Sequence, residues 1–324
     1  MKAAVWTRYG PPEALEVREI DDPAPGNDDI LVQVGASSVT AGDTELRRSK
    51  AMGVLTIPIR LAIGVIRPRG TRVPGQELAG EVVAVGSGVT RFDVGDRVCA
   101  HSGFRFGANA EYATLSERGM VARIPDDVGY EEATTLPTAG LYGLYFTRQA
   151  DLRPGMSVLV NGGAGSIGTY TIQMALAAGA RVDAVDRGDK APFLAELGVS
   201  DVIDYRSEDF TERSNTYDVI LDVIDKSSFR AATRALRPGG KYLHSNISPM
   251  AGLRRMFFIA SEGRHSSFVS GSNDVGDLEY LAAELAGGRL RSVIDRTFHL
   301  DEIVEAHRYT ESGDKQGHVV ISVR

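Results

Sequence analysis

Cysteine is almost absent: Cys99 stands alone among 324 residues. No intramolecular disulfide can form, and a zinc site built on two or more cysteines is excluded. Basic charge is also in short supply, with 36 Lys and Arg against 43 Asp and Glu and a formal net charge of −7. A mildly acidic chain without a basic arm is a poor general binder of nucleic acid or anionic membrane. Long apolar runs are missing too. The most apolar stretch, 54–66, is interrupted by Pro58 and Arg60 and is too short to span a bilayer. The opening MKAAVWTRYGPPEALEV has no apolar core of the secretory kind. A cytoplasmic chain without a membrane span is expected.

Glycine is plentiful, with 36 residues, well above the roughly 7% that is usual. The excess points to tight turns and to loops where backbone must approach a ligand. The length suggests about two domains. The first third reads as short strands (2–6, 30–36, 77–85) separated by Pro, Gly and Asp clusters, as in a small antiparallel barrel or sandwich. From 125 to 265 strands alternate with helical patterns: strands at 157–161, 181–186, 202–205, 217–223 and 241–245, helices at 167–178, 190–197 and 227–236. Such alternation predicts a parallel sheet covered by helices. The last sixty or so residues add two helices and a closing strand at 318–323. The expected fold is α/β: a β-rich domain over 1–124, an inserted α/β domain over 125–265, and a tail, 266–324, returning to the first.

The strongest motif is Gly163-Ala164-Gly165-Ser166-Ile167-Gly168, which follows a strand and opens a helix. In a dinucleotide loop the first glycine permits a tight turn, the second lets backbone approach a pyrophosphate, and the third lets helix pack on strand. The helix N-terminus then offers free N–H groups to the phosphates. The next strand ends in Asp186, placed to accept the ribose hydroxyls of NAD and to repel the 2′-phosphate of NADP. Arg187 and Lys190 come at once after it and are able to hold that phosphate, so both cofactors remain open at this point.

The chain resembles the medium-chain dehydrogenase/reductase superfamily, and within it the zinc-independent quinone oxidoreductase-like branch. The resemblance runs through Pro74-Gly75-Gln76-Glu77-Leu78-Ala79-Gly80-Glu81-Val82-Val83, Val94-Gly95-Asp96-Arg97-Val98, Gly107-Ala108-Asn109-Ala110-Glu111-Tyr112, Leu136-Pro137-Thr138-Ala139-Gly140-Leu141, the 161–168 loop, Arg237-Pro238-Gly239-Gly240 and His318-Val319-Val320-Ile321. It implies a GroES-like catalytic domain plus a Rossmann domain, a homodimer, and NADPH as cofactor with NADH as the other choice. Lys190 and Tyr205 then fall where relatives touch the 2′-phosphate. Ser245, Asn246, Phe268, Val269 and Ser270 fall where relatives hold the nicotinamide. Where zinc alcohol dehydrogenases carry a catalytic Cys this chain has Thr40, and their Gly-His-Glu is Gly75-Gln76-Glu77, so no metal is expected. Quinone reductases of the branch read Asn-Pro-Val-Asp-Thr-Tyr where this chain reads Thr40-Ala41-Gly42-Asp43-Thr44-Glu45: Asp43 and Thr44 match, the Asn and Tyr do not.

The resemblance implies hydride transfer to a small, apolar, electron-poor acceptor, a quinone or an α,β-unsaturated carbonyl. Thr40 is the candidate donor to the forming oxygen, and Asp43 the residue that orients that segment or serves as acid. The alternatives are a 2-enoyl-thioester reductase, with Arg67, Arg69 and Arg72 for coenzyme A phosphates, and a non-enzymatic NADPH-binding sensor. Segments 54–67 and 252–259 read equally as a lid over a greasy substrate and as packed or dimer-forming helix.

Overall fold

The computed structural model describes residues 1–49, 61, 63–68, 72–224, 227, 229–245, 265–268 and 274–324. The chain divides into two compact units, Met1–Thr138 with Asn273–Arg324, and Ala139–Ser272.

In the first unit β1 (Lys2–Trp6) and β2 (Leu15–Glu19) form an antiparallel pair. β3 (Asp29–Ser38) runs into α1 (Ala41–Arg48). After them come β4 (Glu77–Val85), β5 (Arg97–His101), β6 (Tyr112–Ser116), β7 (Met120–Arg123) and the single-turn α2 (Tyr130–Ala133). In β3 alternate residues are buried at first, and its last five are all buried, because one edge faces β4 and the other is shared by β6 and a strand from the C-terminal segment. Ile30, Val32, Val34, Leu78, Val82, Val98 and Leu115 fill the core between them.

The second unit opens with α3 (Leu141–Ala150). It continues through β8 (Ser157–Asn161), α4 (Ser166–Ala177), β9 (Arg181–Asp186), α5 (Ala191–Glu196), β10 (Asp201–Asp204), β11 (Tyr217–Asp222), α6 (Phe229–Ala235), β12 (Leu236–His244) and β13 (His265–Phe268). The sheet order is β10-β9-β8-β11-β12-β13, and every pairing is parallel. Counted from β8 this is the doubly wound order 3-2-1-4-5-6, whose strand order reverses between β8 and β11.

The chain then forms α7 (Val275–Ala286), β14 (Ile294–His299), α8 (Ile303–Ser312) and β15 (His318–Ser322). β15 pairs antiparallel with the end of β3, Val320 opposite Ser38, and parallel with β14. The unit boundaries lie later than the sequence pattern suggests. Arg97 spans toward the 125–130 stretch, donating to the Pro125 and Val128 carbonyls and stacking on Tyr130, which keeps that stretch in the first unit. β13 pairs with β12, which keeps 265–268 in the second. Among the described residues no helix is long and apolar enough to cross a membrane.

Candidate active site and cofactor loop

In the first unit the end of β3 delivers Thr40 to the start of α1. Its Oγ1 accepts the Asp43 N–H at 3.1 Å, while the Thr40 N–H donates to Asp43 Oδ2 at 2.9 Å, a reciprocal capping box. The Thr40 hydroxyl also donates to the same carboxylate oxygen at 2.7 Å. The far end of α1 is anchored by the buried Arg47, which reaches the Gly10 carbonyl, Nδ1 of His307 and the Glu311 carboxylate. Asp43 is buried, and that desolvation raises its carboxyl to about 6; the two Thr40 bonds oppose the rise, the Glu77 charge adds to it and His101 opposes it.

Glu77, at the start of β4, is 2% exposed. Oε1 accepts the Thr138 N–H at 2.7 Å and Oε2 accepts the Ser38 hydroxyl. Burial raises its carboxyl as well, against those two bonds. His101, at the end of β5, accepts the Gly103 N–H on Nδ1 at 3.1 Å, and burial lowers its pKa. Sequence reasoning missed Glu77, Ser38 and His101 as members of this cluster. One signal was available: Glu77 is a carboxylate set directly before the apolar Leu78-Ala79 at the start of β4.

In the second unit the loop between β8 and α4 divides the glycine roles differently from the expectation. The left-handed turn residue is Gly162, at φ +89°, not Gly163. Gly163 serves packing, since a Cβ there would sit 2.7 Å from the Ala184 Cβ. A Cβ on Gly168 would lie 2.2 Å from the Gly162 carbonyl oxygen, so the third glycine lets the helix approach the loop. A Cβ on Gly165 would meet only ordinary contact. That glycine is the N-cap of α4 and is not demanded by side-chain packing. Ala164 is buried, and Ser166 and Ile167 open α4.

Asp186 does not reach outward. Oδ2 accepts the Ala164 N–H at 3.0 Å, Oδ1 accepts the Arg187 N–H at 2.9 Å, and Lys190 Nζ stands 3.4 Å from Oδ1. The carboxylate fastens the glycine loop, and Lys190, only 5% exposed, neutralises it. Asp186 was expected to accept the ribose hydroxyls and Lys190 to hold the 2′-phosphate; here the two side chains meet each other. The rim is built instead from Arg187, Tyr205 and Arg206, with Arg206 and Arg187 both held to Asp189. The two guanidiniums hold the Asp189 carboxyl well below the usual range. Arg206 was not singled out in the sequence. Ser245 comes directly after β12, its hydroxyl on the Val223 carbonyl at 3.1 Å. Phe268 ends β13; Asn246, Val269 and Ser270 lie outside the described residues, as do 252–259, Arg69 and most of 54–67.

Residues 26–126 match the family model described as an alcohol dehydrogenase GroES-like domain, and 197–321 the one described as a zinc-binding dehydrogenase. A quinone oxidoreductase of Pseudomonas aeruginosa is 31% identical, over 94% of this chain and 94% of that protein. A 2-methylene-furan-3-one reductase of Solanum lycopersicum is 30% identical, over 99% of this chain and 79% of that protein. The solved quinone oxidoreductase of Coxiella burnetii superposes with a TM-score of 0.89 at 28% identity, covering 100% of this chain and 99% of that one. The chain belongs to the medium-chain dehydrogenase/reductase superfamily. It is an oxidoreductase, and its Rossmann-type second unit supports a nicotinamide cofactor.

Some members of the superfamily are zinc enzymes, and the donors here do not fit that metal. Both Glu77 oxygens and the Asp43 Oδ2 are taken by internal donors, and His101 Nδ1 by a backbone N–H. Burial pushes the Cys99 thiol up to about 12. Among the described residues no three His, Cys, Asp or Glu side chains are grouped to hold a metal ion.

Proposed function

We propose that this protein is a zinc-independent, NADPH-dependent reductase of quinones or α,β-unsaturated carbonyls. The observation that carries the reading is the Thr40–Asp43 cap, a buried carboxyl raised to about 6 and hydrogen-bonded to a hydroxyl. It stands where zinc relatives keep a metal-binding Cys. Bound at the glycine loop, a reduced nicotinamide supplies hydride. An electron-poor acceptor takes hydride without a Lewis acid, and the chain has then to neutralise the charge left on the acceptor's oxygen.

Thr40 has one hydroxyl proton. While Asp43 is ionised that proton is committed inward. Once Asp43 is protonated, its Oδ2–H donates to Thr40 Oγ1, and the Thr40 hydroxyl is released to donate to the acceptor's oxygen. The proton moves from Thr40 to the acceptor and from Asp43 to Thr40, leaving Asp43 to reload from solvent. The acceptor class is supported by the names of the two curated relatives, a quinone oxidoreductase and a furanone reductase. NADPH is favoured because Asp186 is turned inward and neutralised by Lys190, while Arg187 and Arg206 sit at the rim.

The test is Thr40→Val, which keeps the side chain's shape and removes its hydroxyl. NADPH oxidation by 2-cyclohexenone should fall roughly a hundredfold, and by 1,4-benzoquinone much less, since the hydroquinone monoanion that hydride leaves is a weaker base than an enolate. Wild-type rates on the enone would contradict the assignment.

A further inference from the structure

Asp222 is fully buried at the last position of β11, on the carboxyl edge of the parallel sheet. Burying a carboxylate costs several kcal/mol unless donors surround it. The donors here come from three places. Asn161, the last residue of β8, gives its Nδ2–H to Oδ1 at 2.9 Å. The Ile224 N–H gives to the same oxygen at 3.1 Å, closing an Asx-type turn that redirects the chain after β11. The Tyr242 hydroxyl, from β12, gives to Oδ2 at 2.5 Å. One carboxylate thus ties together the ends of β8, β11 and β12.

Two of those ties lead to the glycine loop. Asn161 directly precedes Gly162, the left-handed residue that starts the loop. Ile224 is the residue whose side chain fills the space over Gly162, 2.6 Å from where a Cβ would be. The edge involved is the one where the strand order reverses, between β8 and β11, and that reversal point is where doubly wound sheets receive their ligands.

We infer that Asp222 is a positioning residue for the dinucleotide: through Asn161 and Ile224 it sets the place of the 162–168 loop against the sheet. The carboxylate suits this role because it accepts from all its donors at once. An asparagine at 222 must turn its own NH2 toward one of them.

The inference rests on the glycine loop as the cofactor seat, and the test separates the two. Binding of NADPH and NADH is tracked by the change in their fluorescence on titration with protein, without any acceptor. Asp222→Asn should raise the dissociation constant roughly tenfold, and the KM for the acceptor should stay within about twofold. Asn161→Ala breaks one of the two links to the loop and leaves Asp222 its Ile224 and Tyr242 donors. It should weaken cofactor binding in the same direction with a near-normal melting temperature, so it decides the matter should Asp222→Asn fail to fold. Wild-type affinity in Asn161→Ala, or a loss shared equally between cofactor and acceptor, overturns the positioning role. A wild-type protein that binds neither dinucleotide overturns the cofactor seat and the inference with it.

Discussion

The Thr40 hydroxyl lies 2.7 Å from the Asp43 carboxylate it donates to, and the same hydroxyl oxygen takes the Asp43 backbone N–H at 3.1 Å. One side chain therefore caps a helix and donates to a buried carboxylate. Turnover of an enone should depend on Asp43 being protonated, so kcat should decline as pH rises past about 6. In Asp43→Asn the profile should be flat and kcat at pH 6 roughly a hundredfold lower. A pH-rate series on both proteins checks this; superimposable profiles would contradict the relay.

The same burial acts on stability. The Asp43 carboxyl rises from 3.8 to about 6 on folding, so between those values the folded chain binds more protons than the unfolded. Stability carried by this group is present below pH 4 and lost as pH rises through 6. His307 works in the other direction: burial lowers it from 6.5 to about 3, and its contribution is lost as pH falls below about 6.5. Asp43→Asn removes only the first effect. Relative to wild type the variant should gain up to about 3 kcal/mol between pH 4 and pH 7. Urea unfolding at both pH values measures it, and an unchanged difference would show that Asp43 does not titrate this way.

The loop glycines separate packing from ligand approach. Gly165→Ala meets no crowding and no positive φ. It should melt like wild type and bind dinucleotide at least tenfold more weakly, because the methyl group stands where a phosphate approaches. Gly168→Ala forces a carbonyl 2.2 Å away to move and should cost about 1–3 kcal/mol of stability. Calorimetry and fluorescence titration on the pair distinguish the roles; a destabilised Gly165→Ala with normal affinity would reverse them.

At the rim, Arg187 and Arg206 share Asp189. Replacing both by Ala should lower the ratio of kcat/KM for NADPH over NADH by roughly tenfold or more, with NADH kinetics little changed. An unaltered ratio would place the 2′-phosphate elsewhere.

The alternation of strands and helices from β8 to β12 was legible because each element repeats its own period over enough residues. The glycine loop was legible because its spacing and flanks are local. What local pattern could not show was direction and partnership. Nothing in the sequence says that Asp186 turns back to the Ala164 N–H rather than outward, or that Lys190 turns inward with it. Glu77 meets Ser38 from 39 positions away, and Asp222 meets Asn161 from 61. Such pairings are made by strand neighbours in the sheet, which periodicity does not encode. β13 lay beyond the alternating pattern, and its pairing with β12 defines it.

The most direct measurement is the steady-state oxidation of NADPH with 1,4-benzoquinone and with 2-cyclohexenone, on protein dialysed against a strong chelator and assayed in its presence. A metal-free reductase should turn over as fast as undialysed protein, with no gain on adding zinc. Activity lost on chelation and restored by zinc would contradict it.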